Sequence, residues 1–457
     1  MLNRRDFLYA SAGFAGATWS GLAFGAPETP LLKVGVLSDI HLSDEAHRSS
    51  ASFVRIYEKM LRLYREAGVD AVIIAGDFTN GGTMTEMRVS CESWKKVFAG
   101  GPEPVRVFVT GNHEKVYFEK AVKDGKQDSD TVKDGLYRDI RTNWKALFGE
   151  EWSPFFIKKV KGYSFVGAHW GENLDEKALR AFMDAHRAEL VGTRPFFFVQ
   201  HAHPKNTCYG PTAWDQHNGG CTAAVLSDYP NAVAFSGHTH YSLVDERSVW
   251  QGAFTSIGTS AIRCVYLPDA GHENSGSKRR MNWVRGGAQG MLMSVYADRL
   301  VLERYDAASM QRLGEDWSVP VPANPSAPAY AFDVRARTAP APAFASGAKL
   351  TVTTRRGKDP KGQEEDQLVV SFPAAAGRGD SLSRVFDYEV RVEGPDKTCA
   401  KLVYQPDVLG LLPAKPNAAS CVFGICELPK TRSRIVVTPR NSLGVCGQPL
   451  TQDVRAK

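Results

Sequence analysis

Eight side chains of the kind that bind metal ions, or work beside them, arrive in five clusters. They are Asp39 and His41, Asp77, Asn112 and His113, His201, and His238 and His240. Each cluster closes an apolar run: LLKVGVLSDIH, VDAVIIAGDFTN, VRVFVTGNHE, RPFFFVQHAH and NAVAFSGHTH. Short Val/Ile/Phe-rich runs bounded by Gly and turn residues read as buried strands. Side chains at the carboxyl ends of such strands face a common crevice. Seven oxygen and nitrogen donors, with His113 as a spare imidazole, are therefore expected to converge. Carboxylate, amide and imidazole donors without thiolate suit divalent Mn, Fe or Zn. Asp39 and His41 lie two apart, so in an extended segment they share a face.

Positioning these clusters requires alternating strands and helices from Leu31 to about Tyr305, an α/β domain. The spacing predicts helices over about Ser49–Ala67, stopped by Gly68, over about Thr85–Phe98, and after Asp175 as N-cap. Gly76, Gly111 and Gly237 are expected to let the backbone turn at the strand ends. Three long polar loops, Lys115–Asp134, His203–Thr222 and Leu267–Gly287, are expected to rim the cluster.

The order Asp39-x-His41, Gly76-Asp77, Gly111-Asn112-His113-Glu114, His201 and Gly237-His238-x-His240 resembles the calcineurin-like metallophosphoesterase family, closest to its class III cyclic-nucleotide phosphodiesterase-like branch. The resemblance covers Leu31 to Tyr305. It implies a four-layer α/β/β/α sandwich and two divalent metal ions. Two such ions about 3.5–4 Å apart clamp a phosphoryl group and yield a bridging hydroxide. As carried over, Asp39, His41, Asp77 and His240 hold the first ion. Asp77 bridges, and Asn112, His201 and His238 hold the second. His113 then stands by the substrate phosphate and protonates the leaving oxygen. Glu114 either orients His113, as in the family, or is a helix-start carboxylate. Asn80 stands where purple acid phosphatases carry a tyrosine, which disfavours a ferric, coloured centre.

The expected activity is hydrolysis of a small phosphate ester. Diesters are favoured, because the branch it resembles acts on diesters and the five blocks bring no Arg or Lys to the phosphate; the nearest candidate cations are Lys115, Lys205 and Arg263. Alternatives are a phosphomonoesterase or a sugar or lipid diphosphate hydrolase on the same centre, or an adhesion protein with a vestigial metal site. The formal charge of +6 over 457 residues predicts no nucleic-acid partner. The basic spot Lys278–Arg280 with Arg285 reads as a solvated loop.

Residues 1–25 read as a signal peptide, with Arg4-Arg5 before Phe7-Leu8 resembling the twin-arginine export signal. That implies the export machinery as partner, a periplasmic or exported location and no membrane span once the signal is cleaved. The catalytic domain is expected over 31–308. A Pro/Ala-rich stretch, 319–346, reads as an extended linker. A small all-β, fibronectin-III-like sandwich is expected over 347–457. Cys91 reads as a core thiol, and Cys208 and Cys221 as a staple across one loop. The pairing of Cys399, Cys421, Cys426 and Cys446 stays open. His169 reads as a satisfied strand-end residue, and His203 as either a loop or a supporting residue.

Overall fold

The computed structural model describes residues 28–43, 50–82, 84–114, 140–171, 175–209, 220–267, 282–284, 287–359, 361–377, 381–405, 418–430 and 432–454. The signal segment, the whole Lys115–Asp134 loop and parts of the other two rim loops lie outside these residues, as do His47, His217 and His272. Among the described residues no helix is long and apolar enough to cross a membrane.

The first half-sheet runs through β1 (Leu32–Leu37), β2 (Ala71–Ala75) and β3 (Val105–Val109), which pair in parallel. A second sheet follows, of β4 (Phe155–Val160), β5 (Tyr163–Ala168), β6 (Phe196–Val199), β7 (Ala232–Ser236), β8 (Val249–Gln251) and β9 (Thr255–Gly258), in the order β4-β5-β6-β7-β9-β8. β10 (Val265–Leu267) and β11 (Asn282–Val284) form a small ribbon. The chain then returns to the first sheet with β12 (Gln289–Val295), β13 (Arg299–Asp306), β14 (Gln311–Arg312) and β15 (Trp317–Pro320).

The two sheets pack face to face. Val34, Ile73, Val107, Phe165, Phe197, Phe235 and Met291 share one buried cluster between them. Helices Ser50–Ala67, Met84–Phe98 and Ile140–Phe148 cover the outer face of the first sheet with Tyr57, Met60, Trp94 and Trp144. Helices Glu176–Ala185 and Cys221–Leu226 cover the second sheet. This is the four-layer α/β/β/α arrangement. Both faces of β2 and β7 are buried, which explains their unbroken apolar runs. The helix signals hold: Gly68 stops the first helix at φ 64°, and Asp175 caps the fourth by accepting the Ala178 N–H at 3.0 Å. Cys91 is buried in the core as expected.

Past residue 350 the described strands all pair antiparallel, with short 3-10 turns at Ser381–Ser383 and Ile425–Glu427. Strands 351–358, 364–373 and 418–424 form one sheet; 398–404, 387–393, 433–440 and 450–454 form the other. They enclose Val370, Tyr388, Val390, Phe423 and Val437.

Two expectations need correction. The Pro/Ala stretch is not a free extended linker: its start lies in β15, which pairs with β13 in the first sheet, and Phe332–Thr338 is a helix. Residues 329–338 lack proline and offer an Asp333–Arg337 pair one turn apart at 2.9 Å. Cys208 is not bonded to Cys221. It is a buried free thiol facing Ser248 O at 3.1 Å and Ser256 Oγ at 3.4 Å.

Candidate metal centre

The parallel strands place the donors. Asp39 and His41 follow β1, Asp77 follows β2, Asn112 and His113 follow β3, His201 follows β6, and His238 and His240 follow β7. All seven expected ligands and His113 meet at one spot. The His240 Nε2 lies 3.0 Å from Asp39 Oδ1 and 3.3 Å from His41 Nε2. The His201 Nε2 lies 3.1 Å from Asp77 Oδ2, 3.1 Å from Asn112 Oδ1 and 3.1 Å from His238 Nδ1. Asp39, His41 and His240 form one ligand-like group, and Asp77, His201 and His238 another. The Asp77 Oδ2 is also 3.8 Å from His41 Nε2, so one carboxylate oxygen faces both. A third group, His41, Asp77 and His113, exists because His113 Nε2 comes within 3.9 Å of the same oxygen.

The backbone is bent to achieve this. Asp39, His41, Asp77, His238 and His240 all have φ between 49° and 69°. The left-handed region is costly for residues with a Cβ, at about 1–3 kcal/mol each. Asp39 and His41 therefore converge through two left-handed residues and not, as expected, through an extended segment. The glycines act differently too. Gly76 supplies the turn, at φ 89°. Gly111 and Gly237 supply room, since a Cβ there would come within 2.1 Å of Asp77 Oδ1 and 2.2 Å of Asp39 Oδ2.

Each donor atom is aimed by a neighbour. The His201 Nδ1–H points at Ala75 O (2.7 Å) and the His240 Nδ1–H at Cys264 O (3.1 Å), leaving both Nε2 atoms for the centre. The second Asp39 oxygen accepts from Ser38 Oγ at 2.6 Å and from the His238 N–H at 2.9 Å. Thr259 Oγ1 in turn donates to Ser38 Oγ at 2.6 Å. The other Asp39 oxygen, Oδ1, is buried with no hydrogen-bond partner. A buried, unsatisfied carboxylate oxygen facing imidazole nitrogens fits a cation ligand.

Without a cation the site balances its own charge. Burial opposes ionisation of Asp39, but His240 and His201 outweigh it and hold the carboxyl at about 2. Burial is likewise outweighed at Asp77, chiefly by His201, and the carboxyl stays below the usual range. Burial would discharge His201, yet Asp77 and Asp39 carry its pKa up to about 9. His41 goes the other way, driven down by burial.

Glu114 neither orients the His113 ring nor merely starts a helix. Its carboxylate accepts N–H bonds from Asp77 (3.0 Å), Gly111 (2.7 Å) and Thr79 (2.8 Å), plus the Thr79 hydroxyl (2.7 Å), clasping the loops after β2 and β3. The His113 ring is held instead by Asn80 O, which accepts its Nδ1–H at 2.6 Å. His169 is a structural residue, stacked on Trp152 and accepting the Thr110 N–H at 3.0 Å. His203 is buried behind the ligands, 3.0 Å from Thr239 Oγ1. Trp170, which the sequence offers beside His169 as a pocket-border residue, has its ring 5.3 Å from His238 and 5.6 Å from His201, whereas Ser38, Thr259 and Cys264 were missed. Only Ser38, adjacent to Asp39, carried a signal.

Residues 32–242, which include every ligand above, match the model of the calcineurin-like phosphoesterase family. This stretch is a calcineurin-like phosphoesterase domain. Solved structures similar to it are remote. A dimetal phosphatase from Danio rerio is 13% identical with a TM-score of 0.37, covering 64% of this chain and 99% of its own. A purple acid phosphatase from yellow lupin (Lupinus luteus) seeds is 11% identical with a TM-score of 0.38, covering 63% of this chain and 53% of its own. Vacuolar protein sorting 29 from Cryptosporidium parvum is 11% identical with a TM-score of 0.26, covering 63% and 95%. Likenesses this distant speak to neither activity nor substrate. No curated protein matches the chain. The phosphoesterase domain is followed by strands that complete its first sheet, so its physical unit runs beyond the matched residues.

Proposed function

We propose that this protein is a phosphoester hydrolase with two divalent metal ions. The observation that carries the reading is the buried Asp39 Oδ1, which makes no hydrogen bond yet faces three imidazoles, His240 at 3.0 Å and His201 and His41 at 3.8 Å. Asp39, His41, Asp77 and His240 would hold one ion, and Asp77, Asn112, His201 and His238 the other. Bound there, divalent ions supply charge for the phosphoryl oxygens and a water acidic enough to attack near neutral pH.

The chain's own residues do the rest. Asn80 O holds the His113 Nδ1–H, so the ring presents Nε2 to the site, and the imidazolium donates a proton from Nε2 to the departing oxygen. Glu114 fixes the Asp77 and Gly111 backbones, so the bridging carboxylate and the His113 loop move together. His113 is kept outside the ligand set because its ring is the less buried, 17% exposed against 0% for His201, and its Nε2 is farther from Asp77 Oδ2 than that of His201, 3.9 against 3.1 Å. The diester preference, expected from the resembled branch and from ligand blocks without Arg or Lys, is weakened by Arg263, whose guanidinium donates to Asn80 beside His113. Twin-arginine export to the periplasm, and a fibronectin-III-like character for the C-terminal sandwich, remain part of the proposal on their sequence grounds.

The test is a screen of purified protein against phosphomonoesters, phosphodiesters and sugar or lipid diphosphates with Mn, Zn and Fe in turn. Hydrolysis of at least one class with one metal is expected. Inactivity on all of them would overturn the reading.

A further inference from the structure

Arg263 sits beside the metal centre with little to satisfy it. The backbone N–H groups of Ile262 and Arg263 donate to Asp39 O at 3.2 and 3.0 Å, which anchors this segment to a metal ligand. The Arg263 side chain reaches Asn80 and donates from Nη1 to Oδ1. Asn80 O receives the His113 Nδ1–H. Guanidinium, amide and imidazole thus stand in a row along one side of the cluster, and His113 packs edge-on to His41 at 4.3 Å.

A guanidinium carries five donors in a planar fork. Arg263 gives one of them to a neutral acceptor, and among the described residues no carboxylate lies within ion-pair distance of it. Other arginines removed from water are provided for. Arg247 has Asp245, Arg304 has Glu246 and Arg440 has Asp387. Arg335 donates to two carbonyls, at 2.8 and 2.7 Å. A half-buried guanidinium with unspent donors, held beside a centre built for phosphate, is a receptor for an anion.

We propose that Arg263 is a specificity-determining residue that binds the second negative charge of a phosphomonoester, which makes monoesters the preferred substrate class. A monoester approaches a double negative charge at neutral pH, with its second pKa near 6, whereas a diester carries a single charge. Ions held by the carboxylates and imidazoles would neutralise one charge of the ester, and the extra oxyanion would fall to the Arg263 fork. The inference rests on the hydrolase reading above.

The experiment compares wild type, Arg263→Gln and Arg263→Lys. Glutamine keeps a donor for Asn80 without charge, and lysine keeps charge without the fork. Four quantities are measured: kcat/KM for nitrophenyl phosphate, kcat/KM for bis-nitrophenyl phosphate, affinity of the metal-loaded protein for inorganic phosphate, and metal content. Wild type should prefer the monoester. Arg263→Gln should lower monoester kcat/KM by about 10- to 100-fold and the diester by less than about threefold. Phosphate binding should weaken by about tenfold or more with metal content unchanged, and lysine should recover part of the loss. Equal losses on both esters, unchanged phosphate affinity in Arg263→Gln, or a wild-type preference for the diester would overturn the proposal. A protein that binds phosphate through Arg263 and cleaves neither ester would sink the hydrolase reading and leave the anion site standing.

Discussion

At the scale of single residues, His113 and Asn80 separate chemistry from scaffolding. The His113→Ala protein should keep its metals and lose about 100-fold or more in turnover of esters with poor leaving groups, with a much smaller loss for nitrophenyl esters, whose leaving group needs no proton. Metal analysis beside kinetics checks this, and lost metal would make His113 a ligand. The protein should also be colourless, because the Asn80 side chain is engaged by Arg263 and supplies no phenolate. A visible charge-transfer band in the iron-loaded protein would contradict that. Metal loading should release protons. Metal-free His201 holds its proton up to about pH 9 because Asp77 and Asp39 outweigh burial, so a cation must displace that proton. Metal affinity should therefore rise from pH 6 towards 9, and calorimetry in buffers of different ionisation enthalpy should show proton release at pH 7. The ligands themselves were legible in the sequence, because each ends an apolar run. Cys264 was not, since it follows β9 in a segment whose contact with Asp39 depends on how the chain crosses between sheets, and Arg263 in the same segment stood out only as one of three candidate cations with Lys115 and Lys205.

At the scale of elements, the site depends on loops that approach closely without side chains. Gly237→Ala should fold, yet lose the first metal, since the new Cβ would drive into Asp39 Oδ2 at 2.2 Å. Metal content of one per chain with a near-native melting temperature is the expected result, and two metals retained would contradict it. Glu114→Ala should be worse for the fold, because it strands three buried N–H groups and a hydroxyl, at about 1–3 kcal/mol for each group left unsatisfied. Thermal unfolding measures this. The alternation of strands and helices and the outer helices followed from periodicity and caps, but the pairing order of the strands did not. The helix Phe332–Thr338 did not, because a compositional reading of a Pro/Ala stretch averages over ten residues that contain no proline. The role of Glu114 was equally hidden, since adjacency to His113 says nothing of where its carboxylate points.

At the scale of the whole molecule, the C-terminal sandwich is joined to the phosphoesterase domain by more than a tether. Phe386 is buried in the cluster between the catalytic sheets, Arg247 stacks on it at 5.8 Å, and Tyr404 donates to Leu267 O at 3.3 Å. Trp317 Nε1 donates to Glu246 at 2.7 Å and Arg335 to Glu246 O at 2.8 Å, so the stretch between the domains braces the first. A chain ending near residue 340 should fold and hydrolyse its ester, with stability lowered by about 2–3 kcal/mol for the exposed Phe386 contact. A chain ending near Val319 should fare worse, losing Val321 and Arg335 as well. Equal melting temperatures for the two would contradict this. The central claim is a dinuclear centre that hydrolyses phosphoesters, and stepwise reconstitution tests it most directly. Chelator-stripped protein, titrated with Mn, Zn or Fe while nitrophenyl phosphate and bis-nitrophenyl phosphate hydrolysis is followed, should be inactive at the start and reach full rate at two equivalents of one metal per chain. Activity without metal, saturation at one equivalent, or no hydrolysis with any metal would contradict it.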